Sequence, residues 1–355
     1  MDATFDLIGG WPAVLARLLA GSDLTGDEAG CVLAEVLEGR ATPAQIAAFA
    51  VALRAKGETV EEMAGLVRTM LNHAEPLDIP GDPIDTCGTG GDRNRSINVS
   101  TLAALIAAGA GVTVCKHGGR AATSDAGSAD VLEALGVAID LGPDGVARCV
   151  AETGMGFCFA PRFHPAMRFA GPVRRELGVP TVFNLLGPLA NPARCRRQIV
   201  GVSDPTLADA MLGVLIANGA QRAMVVHGAD GLDELSTTGP STVVAYDADG
   251  GPGIRRTVID PADLGLAPAT VADLRGGDAA ANAVVVRRVL GGAAGPPRDI
   301  ALLNAAAALL VAGAAADLAD GLTHAAAAVD GGAAGRVLDR LIEVSQREAA
   351  TAPAG

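Results

Sequence analysis

Residues 85–101 read DTCGTGGDRNRSINVST. Gly88, Gly90 and Gly91 stand between a short apolar segment, "PIDTCG", and a run of helical period, "VSTLAALIAAGAG", so Gly88–Asp92 is the turn from a strand into a helix. In an α/β sheet such a loop, at the carboxyl end of a strand and ahead of a helix start, aims bare N–H groups and a positive dipole end at an anion. It is not a Walker loop, because no Gly-Lys-Ser/Thr follows. Nor is it the dinucleotide fingerprint, whose third glycine position is occupied by Arg93. On glycine content alone a tight surface turn is the favoured reading. Asn98, Ser100 and Thr101 open the following helix, where they serve either as polar contacts for an anion or as ordinary N-caps.

The next stretch repeats the design. In "VCKHGGRAATSDAGSAD", residues 114–130, a strand runs into a glycine loop carrying Lys116, His117 and Arg120, and a helix begins near Ser128. A lysine at a strand's carboxyl end beside glycines suits a point charge on phosphate, whereas a lone histidine is more often a structural hydrogen-bonding residue. A third stretch, "VVHGADGLDELS" (225–236), puts the adjacent carboxylates of Asp233 and Glu234 after a strand. Paired acids are common on surface turns. Beside a phosphate loop, however, they are what a Mg²⁺ bridge to substrate phosphates requires.

Working outward, residues 1–78 read as helical. Thr25, Thr42 and Thr59 each precede Glu28, Gln45 or Glu62 by three residues, the spacing of a capping box, and Pro43 suits a first helical position. Gly39 and Gly57 supply stops. "NHAEPLDIPGDP" is a linker. From Ile84 onward strands ("VTVCKHGG", "GFCFAP", "RQIVGVSD", "RAMVVHG") alternate with helices, which implies a largely parallel sheet covered on both faces. Residues 166–195, rich in Pro and Gly, break that rhythm and are expected to return to the helical domain. The α/β domain then comprises 79–165 and 196–350. The fold class expected is α/β: a small N-terminal helical domain joined to a larger domain whose mostly parallel central sheet is flanked by helices.

Composition narrows the chemistry. The 355 residues carry a net charge of −13 and only 3% aromatics, which opposes phosphate-backbone binding and base stacking alike. The six cysteines are scattered without metal-ligand spacing, so reduced and mostly buried thiols are expected. Neither a signal peptide nor an apolar run of membrane-spanning length is evident, and a cytoplasmic location is expected.

Taken together, "GTGGD", "NVST", "KHGGR", "GSADVLEALG", "FAPRFHPAMR", "PVRRELG", "FNLLGPLANP" and "VHGADGLDELS" occur in the order and spacing of the anthranilate phosphoribosyltransferases. The chain resembles that family over nearly its whole length. The resemblance implies a homodimer whose subunits each hold an active site between hinged domains, with phosphoribosyl pyrophosphate (PRPP) and an aromatic acid, anthranilate or a relative, as substrates. It assigns PRPP to Gly88, Gly91, Asp92, Ser96, Asn98, Val99, Ser100 and Thr101, and to the second loop: Lys116, His117, Gly118, Gly119, Arg120, Ala121, Ala122, Thr123 and Ser124, with Ser128. Ser100, Asp233 and Glu234 are the implied Mg²⁺ ligands. Lys116, Asp233 and Glu234 are the implied catalytic groups, and Gly88, Gly119 and Arg174 the acceptor contacts, Arg174 on the carboxylate. One departure matters: the family's Lys-His-Gly-Asn-Arg has Gly119 in place of the acceptor-contacting Asn. Ala190 for Thr, and Arg93 and Arg95 in the first loop, are lesser ones. Gly119 therefore leaves open an alternative, a paralogue that phosphoribosylates a different aromatic acid or amine.

Overall fold

In a computed structural model of the chain, residues 5–91, 94–121, 125–251 and 253–351 are described. Four helices come first: α1 (Gly10–Leu19), α2 (Gly26–Leu37), α3 (Pro43–Lys56) and α4 (Val60–Asn72). The capping boxes at Thr25, Thr42 and Thr59 all form, each threonine accepting from the N–H three residues on and each Glu or Gln returning the bond. Gly57 ends α3 at φ 93°, a left-handed-side conformation that a side chain would resist. α2 and α4 cross so closely that a Cβ on Gly65 would lie 1.8 Å from the Gly26 carbonyl oxygen, so glycine is what permits this crossing.

The sheet domain runs β1 (Ile84–Gly88), α5 (Val99–Gly109), β2 (Val114–Gly118), α6 (Ser128–Leu135), α7 (Pro143–Thr153) and β3 (Met155–Phe159). The excursion that follows holds α8 (Ala160–Phe163), α9 (Gly171–Leu177) and α10 (Val182–Leu189). The sheet then resumes with β4 (Arg197–Gly201), α11 (Ala208–Ala217), β5 (Arg222–Gly228), β6 (Ser241–Asp247) and β7 (Arg255–Ile259). Helices α12 (Ala279–Leu290), α13 (Pro296–Ala312), α14 (Leu318–Asp330) and α15 (Ala333–Thr351) close the described chain.

The seven strands lie in the order β3-β2-β1-β4-β5-β6-β7. β1 to β5 are mutually parallel, and β6 and β7 add an antiparallel edge. Both sheet faces are covered. One core joins α5, α13 and α15 to strand residues such as Ile84, Val114 and Met155. The other joins α1–α4, α10 and α11 to Cys87, Val200 and Val225. Ala170, Val173, Val182 and Phe183 of the excursion bury themselves in this second core, beside Phe49 and Met63.

The chain passes from β1 to β2 to β3 on one side, then recrosses to place β4 on the other side of β1. The β1/β4 crevice is thus the point where strand order reverses, and in open α/β sheets ligands collect at the carboxyl ends of the strands there.

Candidate active site

A cleft of about 460 Å³ opens at that crevice. Its floor is built by strand ends in register: Gly88 of β1 pairs with Gly201 of β4, and the turn after β5 folds back over both. A Cβ on Gly88 would sit 2.0 Å from Asp233 Oδ2, and one on Gly201 would sit 1.5 Å from the Asp233 carbonyl oxygen. Bare backbone at both strand ends is what lets the acidic turn lie against the first loop.

The contacts follow from that seat. Asp233 Oδ2 accepts from Gly90 N at 2.7 Å, and Glu234 Oε1 accepts from Ser100 N, in the first turn of α5, at 3.1 Å. Thr89 N donates to the Gly201 carbonyl at 2.9 Å, and Ser203 Oγ donates to the Gly90 carbonyl at 3.1 Å. Gly90 and Gly91 hold φ at 68° and 83°, so the loop can turn its amides without a Cβ clash. Two of those amides, of Thr89 and Gly90, are engaged within the protein here. Burial pushes the Asp233 carboxyl above its ordinary value, opposed by the Gly90 N–H and by Lys116.

Lys116 of β2 is 2% exposed. Its Nζ donates to the Thr86 carbonyl and, at 3.2 Å, to Ser100 Oγ. Beneath it, fully buried Asp85 accepts from Asn191 Nδ2 at 2.8 Å and His117 N at 3.2 Å. Burial raises the Asp85 carboxyl while the Lys116 charge draws it down. This buried carboxylate offsets part of the cost of a desolvated ammonium.

His117 and His164 lie with ring centroids 5.1 Å apart. Burial lowers the first to about 3 and the second to about 4, so both are neutral at pH 7. His117 Nδ1 meets the Gly187 carbonyl at 3.1 Å, which assigns the proton to that nitrogen and leaves Nε2 a buried acceptor with no partner among the described residues.

Of the residues expected at the site, Gly88, Gly91, Ser96, Asn98, Val99, Ser100, Lys116, His117, Gly118, Gly119, Arg120, Ser128, Asp233 and Glu234 line the cleft. Asn98 holds the N-cap position of α5 but its side chain does not cap it: Nδ2 donates to the Ala126 carbonyl and Oδ1 accepts from Asn282 Nδ2. Arg120 spends its guanidinium on Asp130 and Glu133. Thr101 is fully buried within α5, away from the cleft lining, and Ala121 and Arg174 also lie outside that lining. Arg174 is half-buried on α9, with its pKa lowered by burial. Asp92, Ala122, Thr123 and Ser124 fall outside the described residues.

Sequence reasoning did not find the opposite wall, made of Arg54, Pro180, Thr181, Asn184 and Leu185, nor Ser203 and Asp204 after β4. The signal for Ser203 and Asp204 was available, because "VSD" ends a strand beside β1. Thr181 and Asn184 had only an N-cap spacing, which reads the same in any helix.

Among the described residues no helix is long and apolar enough to cross a membrane, and no disulfide joins any two cysteines. Comparison with known proteins gives consistent relatives. Residues 81–335 match the glycosyl transferase family a/b domain, and residues 12–74 its helical bundle domain. An anthranilate phosphoribosyltransferase of Salinispora arenicola is 54% identical over 345 residues, covering 94% of this chain and 96% of its own. That of Rhodococcus jostii is 52% identical over 341 residues, covering 94% and 93%. The crystal structure of anthranilate phosphoribosyltransferase from Thermus thermophilus superposes with a TM-score of 0.88 at 41% identity, over 94% of this chain and 99% of that one. The Saccharomyces cerevisiae enzyme in complex with PRPP and Mg gives 0.85 at 28% identity, over 95% and 98%.

Proposed function

The chain belongs to the anthranilate phosphoribosyltransferase family, and from that premise we propose that it transfers the phosphoribosyl group of PRPP to the amine of anthranilate, releasing pyrophosphate, as a step of tryptophan biosynthesis. The observation that carries the proposal is the acidic turn of Asp233 and Glu234 seated on the paired strand ends Gly88 and Gly201, with Lys116 below it, in one cleft. The relatives above are all named for anthranilate, and none supports a different acceptor.

The donor set fits Mg²⁺. Among the described residues no three His, Cys, Asp or Glu side chains converge as a protein-only cage. Magnesium is ordinarily held by one or two carboxylates together with substrate phosphates, and Asp233, Glu234 and the Ser100 hydroxyl are of that kind. A desolvated Asp233 carboxylate gains from a nearby cation. When bound, the ion supplies charge neutralisation for the departing diphosphate.

Phosphoribosyl transfer breaks the bond between ribose C1 and diphosphate through a transition state with oxocarbenium character, so stabilising the leaving charge is the main demand. The Lys116 ammonium is a fixed positive charge at the cleft floor, and the Gly91 N–H and the start of α5 add oriented dipoles. Gly90 N, held by Asp233 in the free protein, can exchange that carboxylate for phosphate oxygen. An aryl amine is neutral at pH 7 with its lone pair available, so no strong base is needed. Neutral His117 and His164 agree with that. Arg174 has the fork geometry to grip the acceptor carboxylate, and from its place outside the cleft lining it reaches the acceptor as the cleft closes and excludes water. We further propose a cytoplasmic homodimer, for which the exposed Leu7, Leu19 and Val51 offer apolar surface; sedimentation at micromolar protein tests the dimer.

The test of the function is calorimetry with PRPP, with and without Mg²⁺, beside a steady-state assay with anthranilate. Magnesium-dependent PRPP uptake and formation of phosphoribosylanthranilate and pyrophosphate are expected; absence of either defeats the assignment.

A further inference from the structure

We infer that Asn282 of α12 is a positioning residue for the diphosphate site, acting through Asn98 to hold the two glycine loops in fixed relation. The inference rests on the PRPP chemistry proposed above and adds to it a residue from outside the cleft lining. Asn282 is 2% exposed, and its amide stands in the middle of a chain of three hydrogen bonds. Gly277 N donates to Asn282 Oδ1 at 2.8 Å, Asn282 Nδ2 donates to Asn98 Oδ1 at 2.8 Å, and Asn98 Nδ2 donates to the Ala126 carbonyl at 3.0 Å. One end is a backbone N–H, which can only donate, and the other a backbone carbonyl, which can only accept. Neither amide can turn over without setting like groups against each other.

The chain of bonds joins segments that the sequence keeps apart. Asn98 ends the first loop just ahead of Ser100, whose N–H donates to Glu234 Oε1. Ala126 belongs to the second loop and leads into Gly127 and Ser128 of the cleft lining. Asn282 therefore ties α12 to both loops. The segment before α12 backs the same structure: Gly276 N donates to the Arg95 carbonyl at 2.8 Å and Ile97 N to the Leu274 carbonyl at 3.0 Å, with Ser96 bridged to Arg275. Within this pairing Arg95 is held at φ 51°, in the left-handed region that a side chain resists.

Packing around the amide leaves little slack. A Cβ on Gly276 would stand 2.7 Å from Asn282 Oδ1 and 2.8 Å from the Ser96 carbonyl oxygen, so bare backbone is what seats the amide against the first loop. Ile97, Val99 and Leu274 share a small apolar cluster with Leu232, the neighbour of Asp233. Apolar burial is non-directional, however, and cannot by itself set where a loop's N–H groups point. The hydrogen bonds through Asn282 are directional and can. Without the Asn282 amide, Asn98 is free to turn and the second loop can shift against the first, which weakens a ligand spanning both. PRPP is the substrate proposed to span them, so its binding suffers first.

The test is a double-mutant cycle of Asn282→Ala and Asn98→Ala, read as PRPP Kd by calorimetry with Mg²⁺ and as steady-state constants. Each single variant is expected to raise the PRPP Kd about 10-fold, and the double variant to bind no more than about 2-fold worse than Asn98→Ala alone. In Asn282→Ala the PRPP KM should rise with the Kd, while kcat and the anthranilate KM stay within about 3-fold. A merely structural asparagine would lower Tm and produce neither that split nor that coupling. Asn282→Asp keeps the acceptor for Gly277 and loses the donor for Asn98, so it should lose PRPP affinity as Asn282→Ala does, and it replaces Asn282→Ala in the cycle if the latter does not fold. Wild-type PRPP affinity in Asn98→Ala, a half-buried position, overturns the inference however the Asn282 variants behave. Losses that multiply in the double variant overturn it too. If the wild type takes up no PRPP, the proposed function fails instead, and hydrogen exchange over residues 125–135 then decides: faster exchange in both single variants supports the tie between the loops, and unchanged exchange removes it.

Discussion

Gly201→Ala adds one methyl group to the end of β4, and the geometry fixes its consequence. The new Cβ would stand 1.5 Å from the Asp233 carbonyl oxygen and 2.4 Å from its carbon. Unbonded carbon and oxygen approach to about 3.3 Å, so the acidic turn must retreat by roughly 1.8 Å. A misplacement of about 1 Å in positioned groups can cost on the order of 10²-fold. We therefore expect kcat/KM to fall at least about 100-fold, equivalent to roughly 2.7 kcal/mol of transition-state stabilisation, with magnesium-dependent PRPP affinity falling alongside it. Overpacking of this kind costs about 1–3 kcal/mol of stability, so the variant should remain folded with a modestly lower Tm. Gly239→Ala is the control, because its Cβ would meet nothing within 4 Å and the residue lies outside the cleft lining. The assay follows acceptor consumption and pyrophosphate release, with circular dichroism to confirm folding. A Gly201→Ala enzyme within about 3-fold of wild type, or a Gly239→Ala enzyme as damaged as it, would refute the claim that these strand ends seat the acids.

Other outcomes follow from the same cleft. Lys116→Ala, and separately Asp233→Ala combined with Glu234→Ala, should abolish turnover; near wild-type rates in either protein would remove those residues from the mechanism. Gly119→Asn should fit, since the position has room and no left-handed φ. By restoring one polar contact worth about 1 kcal/mol it should raise anthranilate kcat/KM roughly 5-fold, and an unchanged or lower value would show that position 119 does not face the acceptor. Stability should depend on pH through His117 and His164. Their folded values, about 3 and about 4, lie below the ordinary imidazole value of 6.5, so the unfolded chain binds the protons first. The stabilisation is complete above pH 6.5 and is lost as pH falls toward 4. Denaturant titrations should show up to about 1.4 kcal/mol per pH unit for each imidazole in that window. A flat profile there, or the same slope after His164→Asn, would contradict burial of the neutral rings.

Much of this protein was legible in order along the chain. Thr25, Thr42 and Thr59 announce their helices because a capping box is a contact over three residues, and "DTCGTGGD" and "VCKHGG" announce strand-to-loop turns because glycine and apolar residues act on adjacent backbone. β6 and β7 did not announce themselves. As the antiparallel edge they carry polar residues, and β7, RRTVI, is largely exposed, so no apolar run marks it. Nor does any local pattern say that Asn98 would bridge to Asn282 rather than cap its helix, or that Thr101 would turn into the core. The motifs named the chemistry through their joint resemblance to a family, which is information about order and spacing, not about distance.

Distances were decided by the tertiary structure alone. Asp233 lies 143 residues from Gly90, and the 2.7 Å bond between them exists only because the chain recrosses β1 to lay β4 and β5 beside it. The same packing buries Lys116 against Asp85 and leaves open space at Gly119. Local propensities act over a few residues of backbone and are written in the sequence. The seat of the acids and the neutral histidines arise from excluded volume and desolvation between segments far apart in the chain, and these are properties of the assembled fold.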